Sequence, residues 1–337
     1  MSIFVRGATL LAAVVAMAGA VSAQTEVVLA LDWKFEGPSA PYLVAADKGY
    51  FSDNGLEVDI SAGQGSLDAI PKVASGAVQF GFADINSLMK FLDSNPGAPV
   101  IAVMMVYDKP PFAIIGRKSL GVEAPKDLEG RILGAPPPDG AWAQFNAFAS
   151  VNDINVSEVT VEPVGFPTRE PNLAEGLVDA ITGYSFSSYL NLVRAGVPED
   201  DISTILMADY GLDLYGNAIM VNTDFADENP ELVTGFIRAV AAGWRDAIAD
   251  PEAAVEALIT RNPAADHALE TRRLNLAIDA NVNTDYVMEN GMGGVAPDRF
   301  ASAMEQIVQN FEFTNPLDAT LYFTDKYLPA SDDLKIN

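Results

Sequence analysis

Between residues 25 and 107 the hydrophobic period switches back and forth between a strand-like and a helix-like spacing, and this alternation restricts the fold more than any other feature of the chain. "TEVVLALDW" (25–33) is an apolar, β-branched run, "APYLVAADKGYF" (40–51) has helical spacing with a break at Gly49, and "LEVDISAG" (56–63) alternates with period two. The pattern then repeats: "SLDAIPKVASG" (66–76) reads as helix, "VQFGFAD" (78–84) as strand, "INSLMKFLDSN" (85–95) as helix and "PVIAVMMVY" (99–107) as strand. Strands interleaved with helices predict an α/β fold with a mainly parallel sheet covered on both faces, because a parallel crossover needs a connection long enough to hold a helix. Ligands of such sheets collect beyond the carboxyl ends of the strands. The loops to search therefore hold Asp32 and Trp33, then Gly63 to Ser66, then Asp84 to Asn86.

A second unit of the same kind follows. "APKDLEGRILGAPP" supplies a helical turn and a strand, "GAWAQFNAFASVND" (140–153) a helix, "SEVTVEPVGF" (157–166) a strand, "PNLAEGLVDAITG" (171–183) a helix leading into a short strand, and "YSFSSYLNLVRAG" (184–196) another helix. The apolar stretches "FAIIGR" (112–117) and "GNAIMVN" (216–222) flank this unit and are expected to be the crossings between two lobes. The remainder, from "ENPELVTGFIRAVAAGW" to "FTDKYLPA", is helix-rich. The simplest arrangement is a discontinuous first lobe, residues 24–112 and 217–337, with an inserted second lobe, 113–216, and a helical C-terminal tail returning to the first.

The N-terminus sets the compartment. "MSIFVRGATLLAAVVAMAGAVSAQ" has Arg6, an apolar stretch from Ala8 to Val21 and small residues at 21–23, which together read as a secretory signal over 1–23, cleaved before Gln24. The stretch is shorter than the roughly 18 to 20 residues of a membrane span, so a soluble periplasmic chain is expected. Its charge is −26, from 46 acidic and 20 basic residues, and loss of Arg6 with the signal gives −26 − 1 = −27. Nucleic acid and anionic membranes are therefore poor partners. The acids are scattered, as on a solvated surface.

Zero cysteines exclude disulfides and thiolate chemistry. The single histidine, His267 in "RNPAADHALETRRL", reads as a solvated helix residue; together with the missing cysteines this removes Cys–His catalysis and leaves any Ser–His–Asp or histidine zinc site dependent on one unpromising residue. No metal and no cofactor are expected, and no pair of acids is singled out for hydrolysis.

Across nearly the whole mature chain the motifs "LDW", "YLVAADKGYFSDNGLEVDI", "GAVQFGFAD", "KDLEGRILGAP", "REPNLAEGLVDAITGY" and "YGNAIMVN", the last followed by "ENPELVTGFIRAVAAGW", occur in this order. The chain thereby resembles the NMT1/THI5-like group of periplasmic substrate-binding proteins, which serve ABC importers of nitrate, sulfonates, taurine and thiamine precursors. The resemblance implies a two-lobed type II periplasmic binding fold, a ligand cleft that closes by hinge bending, and a membrane permease as partner; the chain is expected to be a monomer. In the thiamine-precursor branch a pyrimidine is held against the aromatic of an LDW-type motif, here Trp33. This chain departs from that branch at "KFEGPSAP", where an Asn and a His are usual, and at "YSFSSY" (184–189), which lacks the branch's Glu.

The sulfonate and taurine branch is the rival. It would need oxyanion donors from the backbone near Gly65 and Ser66, the Ser66 hydroxyl, and a cation such as Arg169 or Lys34. "SAGQGS" fits that cradle and equally fits an ordinary strand-to-helix turn. The full set of candidate ligand residues is Asp32, Trp33, Phe35, Ser39, Gly65, Ser66, Asp84, Asn86, Asp139, Trp142, Arg169, Tyr184, Phe186 and Tyr215, with Trp33 leading and Tyr184 and Asp84 next. Carboxylates beside rings favour a nitrogen-bearing heterocycle or an amine over a bare anion. The expected function is capture of such a compound for import. A thiamine-pyrimidine synthase, the enzyme of the same superfamily, is disfavoured by the near absence of histidine and by the export signal. A sensory protein with the same fold would differ only in its docking partner.

Overall fold

The computed structural model describes residues 24–336, so the signal sequence expected over 1–23 lies outside the described residues. The chain runs β1 (Thr25–Ala30), α1 (Ala40–Asp47), α2 (Tyr50–Asp53), β2 (Leu56–Ser61), α3 (Ser66–Ala74), β3 (Phe80–Asp84), α4 (Ile85–Ser94) and β4 (Val100–Met105). It continues through β5 (Phe112–Arg117), β6 (Ile132–Ala135), α5 (Gly140–Ala143), α6 (Phe145–Val151), β7 (Thr160–Pro163), α7 (Phe166–Ala174), β8 (Ala180–Tyr184), α8 (Ser185–Arg194), β9 (Ile202–Leu206) and β10 (Asn217–Asn222). A helical stretch follows: α9 (Thr223–Glu228), α10 (Pro230–Ala249), α11 (Pro251–Arg261), α12 (His267–Ala277), α13 (Asp285–Asn290) and α14 (Pro297–Asn310).

These strands form two five-stranded sheets, β2-β1-β3-β10-β4 and β7-β6-β8-β5-β9. In the first, β10 lies antiparallel to both β3 and β4, and in the second β5 lies antiparallel to both β8 and β9. Each sheet is thus mixed, four parallel strands with one reversed strand inserted. The reversed strands are the segments "FAIIGR" and "NAIMVN", where the chain leaves one sheet and enters the other. All residues of β3 and β10 are buried, which is why both read as continuous apolar runs without alternation. Gly81 in β3 is needed because a Cβ there would stand 2.6 Å from the Val73 methyl of α3.

The two lobes share a register that unit-by-unit reading missed. The segment α3–β3–α4 recurs as α7–β8–α8 at an offset of 166 − 66 = 100 residues. Pro71 and Pro171 sit inside the two leading helices, and Gly76 and Gly176 end them with φ of 73° and 72°. Ser66 and Phe166 are therefore equivalent, as are Asp84 and Tyr184.

Some elements differ from expectation. The helix read over 140–153 is broken at Gln144, a buried residue with φ −99° and ψ −1°, where α5 ends and α6 begins. Helix α7 starts at Phe166 and not at 171, with Pro167 in its first turn, a position that has no use for a backbone N–H. Strand β9 had no counterpart in the sequence reading.

Of the C-terminal helices, α10 packs on the first sheet, while α12 and α14 also touch α8 and α6 of the second lobe. Phe236 of α10 stacks on Phe80 with centroids 3.8 Å apart and planes 5° from parallel. One apolar core runs from β1 through α1 and α10, while a second joins side chains of both sheets, among them Ala102 and Met220 of the first and Ile114 and Leu133 of the second. Among the described residues no helix is long and apolar enough to cross a membrane.

Candidate functional site

The segments that follow β1, β2, β6, β7 and β8 converge on a cleft between the two sheets that holds about 660 Å³, its open mouth included. Asp32, the second residue beyond β1, lines it and is buried at 6% exposure. Asp32 Oδ2 accepts from Asn217 Nδ2 at 2.6 Å and, at 3.4 Å, from Ser66 Oγ. The Tyr184 hydroxyl lies 3.4 Å from the same oxygen but 3.0 Å from Asn217 Oδ1, so its single proton goes to Asn217. Asp32 Oδ1 has no protein donor among the described residues. Burial pushes the Asp32 carboxyl up from 3.8 to about 7, because the bonds from Asn217 and Ser66 only partly replace lost water and Asp84 adds repulsion.

Trp33 follows and is half-buried. Its ring meets the edge of Phe166, the first residue of α7, at a centroid distance of 4.7 Å and an angle of 72°. Lys34 Nζ lies 5.2 Å from the indole centroid and the Arg169 guanidinium carbon 6.0 Å from it. The indole Nε1 is buried without a partner. Beneath these rings, Tyr42, Phe82, Tyr107 and Phe186 form the floor in successive tilted and edge-to-face contacts of 5.4, 5.3 and 6.1 Å.

The "SAGQGS" loop resolves into a turn. Gly63 N donates to Trp33 O at 3.1 Å, Gly65 N to Asp32 O at 2.6 Å and Gln64 N to Asp68 Oδ2 at 3.3 Å. Ser66 Oγ accepts from Asp84 N at 3.0 Å. The amides of Gly63, Gln64 and Gly65 and the Ser66 hydroxyl are thus engaged in holding the loop in place and are not free donors for an oxyanion.

Arg169 is equally committed. Its Nε and Nη2 both reach Glu170 Oε1, at 3.0 and 2.7 Å, and Nη1 lies 3.9 Å from Asp139 Oδ2. Burial pushes the Asp139 carboxyl up despite Arg169, while Glu170, which burial would also raise, is held below its ordinary value by the Arg169 charge. Asp139 Oδ2 also accepts from Thr182 Oγ1 at 2.7 Å. Glu36 closes the wall, its Oε2 accepting from the Ser187 hydroxyl at 2.6 Å.

Of the residues expected at the site, Asp32, Trp33, Ser39, Gly65, Ser66, Asp139, Arg169, Tyr184 and Phe186 line this cleft. Five lie away from its lining. Asp84 is spent as the N-cap of α4, accepting from Asn86 N at 3.1 Å and from Ser87 N and Oγ at 2.8 and 2.7 Å. Asn86 donates to Asp84 Oδ1 and to Tyr215 O, both at 2.7 Å. Tyr215 points to the C-terminal helices, where its hydroxyl accepts from Ala296 N and its ring lies 4.2 Å from the Arg299 guanidinium carbon. Trp142 stacks on Phe145 at 5.3 Å, and Phe35 packs on the first core.

Sequence reasoning missed Tyr42, Phe82, Tyr107, Phe166 and Glu36. Only Phe166 carried a usable signal, its 100-residue (166 − 66) offset from Ser66. His267 is distant from the cleft, with Nε2 3.1 Å from Glu252 O and 3.2 Å from Glu256 Oε1. Among the described residues no group of three His, Cys, Asp or Glu could hold a metal ion.

The NMT1/THI5-like family model matches residues 37–254. A riboflavin-binding protein, RibY, of Chloroflexus aurantiacus is 27% identical over 90% of this chain and 86% of its own length. A formylaminopyrimidine-binding protein of Halalkalibacterium halodurans is 26% identical over 71% of each chain. A 4-amino-5-hydroxymethyl-2-methylpyrimidine phosphate synthase of Legionella pneumophila is 24% identical over 72% of this chain and 75% of its own. Among solved structures, the ligand-binding component of an ABC-type import system from Staphylococcus aureus superposes with a TM-score of 0.70 at 12% identity, covering 91% of this chain and 99% of that one. The periplasmic aliphatic sulphonate-binding protein SsuA of Escherichia coli gives 0.67 at 10% identity, covering 84% and 86%. The two-lobed periplasmic binding architecture is shared with both, and the sequence match over most of the chain makes this protein a member of the NMT1/THI5-like family.

Proposed function

We propose that this chain is an exported, monomeric binding protein that captures a small nitrogen-bearing heterocycle of pyrimidine type and delivers it to the permease of an ABC importer. One observation carries the reading: the indole of Trp33 stands at the cleft mouth directly beyond a buried carboxylate, Asp32, whose Oδ1 has no protein donor among the described residues. A flat ring carrying N–H groups uses both features, gaining face contact with the indole and a charge-assisted or neutral hydrogen bond to the carboxyl. Anions are served poorly, since Arg169 is neutralised by Glu170 and Asp139. The two binding-protein relatives are named for riboflavin and for a formylaminopyrimidine, both ring systems of this class. Binding without turnover is supported by the two relatives named as binding proteins.

The test is a thermal-shift and calorimetric screen of the purified protein against 4-amino-5-hydroxymethyl-2-methylpyrimidine, its N-formyl derivative, riboflavin, taurine and short alkanesulfonates. A ligand that binds the native state raises Tm by mass action. The expected result is a rise with a pyrimidine or the flavin; a rise with the sulfonates alone overturns the reading.

A further inference from the structure

The first lobe reaches the second through a buried charge that the ligand site does not require. Arg273, on α12, is 1% exposed. Its Nε donates to Glu270 Oε2 at 2.9 Å on its own helix. The other end of the guanidinium crosses to α8 of the second lobe, with Nη1 donating to Phe186 O at 3.2 Å and Ser187 O at 3.0 Å and Nη2 to Asn191 Oδ1 at 3.2 Å. Glu36 joins the two halves: its Oε2 lies 3.5 Å from Arg273 Nη1 and accepts from Ser187 Oγ at 2.6 Å.

Helix α12 itself is fastened to the first lobe. Gly37 N donates to Glu270 Oε2 at 2.7 Å, and the approach is so close that a Cβ on Gly37 would stand 2.8 Å from Leu274 N. Parting the lobes would thus pull Arg273 off three acceptors at once and take Ser187 from Glu36. A guanidinium is tolerated in such burial only while its donors are matched, so the closed arrangement is the one in which this group is satisfied. Glu36, Phe186 and Ser187 also line the cleft.

We propose that Arg273 is the clasp of the cleft: it holds the lobes shut by gripping the start of α8, and Glu36, which faces the ligand, ties occupancy of the cleft to that grip. The purpose of the clasp rests on the binding function proposed above, but its grip is measurable with no ligand added, so the two can fail separately.

The chain has no cysteine, so Leu67→Cys and Thr168→Cys, exposed positions in the first turns of α3 and α7, admit a single pair of spin labels across the cleft mouth. The distance distribution of the ligand-free protein should contain a population at the closed separation. Arg273→Met combined with Glu270→Gln, which removes the cation without leaving its carboxylate partner charged, should lower the closed-to-open ratio at least about tenfold, as loss of several hydrogen bonds to a charged group requires. Asn191→Ala, which deletes the side-chain acceptor of Arg273 Nη2 and leaves the charges in place, should lower it roughly threefold to tenfold and decides the matter if the double variant fails to fold. Ratios unchanged in Asn191→Ala and in the folded double variant, or a wild-type distribution with no closed population, overturn the proposal.

Discussion

Trp33 and Phe166 belong to loops of different sheets, yet their rings meet edge to face 4.7 Å apart and form the rim of the cleft. Each follows the carboxyl end of a strand, β1 for Trp33 and β7 for Phe166, which is where an α/β sheet presents its ligand-contacting residues. Trp33→Ala should weaken binding of a ring ligand at least about a hundredfold, since burial of one aromatic face is worth several kcal/mol. The melting curve should stay within a few degrees of wild type because the indole is only half-buried. Calorimetry alongside a thermal scan checks both; intact affinity, or wholesale unfolding, removes Trp33 from the site.

The pairing of Arg169 with Glu170 predicts a change of ligand preference. Glu170→Gln leaves the guanidinium with Asp139 at 3.9 Å as its remaining close carboxylate. The variant should gain about tenfold in affinity for short alkanesulfonates, read by competition titration at low salt. Arg169→Met is the converse, stranding Glu170 and Asp139 as buried carboxylates, and should destabilise the fold by roughly 3 to 5 kcal/mol in urea titrations.

Two buried groups set opposing pH dependences. Asp32 has its folded-state value raised from 3.8 to about 7, so the native state holds more protons than the unfolded chain across that window and stability falls as pH rises through it. Lys90, on α4, has its ammonium lowered from 10.5 to about 7 by burial, so the native state holds fewer protons from there upward and stability rises with pH. These two contributions together place a minimum near neutrality. Asp32→Asn should remove the acid-side slope and Lys90→Met the alkaline-side one, measured as unfolding free energies at about pH 5, 7 and 9.

How much of this was legible in the sequence depends on what kind of signal each feature leaves. The two reversed strands could be located because a strand buried on both faces is uniformly apolar, as in "FAIIGR" and "NAIMVN". Strand β9, "ISTIL", is short, carries Ser203 and Thr204 at its centre and follows the charged "PEDD", so neither period nor composition marks it. Asp32, Trp33 and Tyr184 could be chosen because a strand end fixes where the next residues go. Tyr42 and Tyr107 could not, since whether an aromatic faces a cleft or a core depends on side-chain direction within an element already read as apolar. The α12 clasp was out of reach for another reason: Arg273 is separated from Ser187 by 86 residues, and no local pattern joins them.

Asp84 gives the sharpest test of where position in the chain misleads. It stands at the carboxyl end of β3, the place where a ligand carboxylate is expected, and it is fully buried, but its oxygens are consumed by Asn86 and Ser87 at the start of α4. Its role is therefore to hold a helix and not a ligand. Asp84→Ala should cost about 2 kcal/mol or more, because the N-cap is lost and buried donors go unmatched. Affinity for a ligand found in the screen should change less than about threefold when measured well below the variant's Tm. A loss of affinity comparable to that of Trp33→Ala at unchanged stability would return Asp84 to the site.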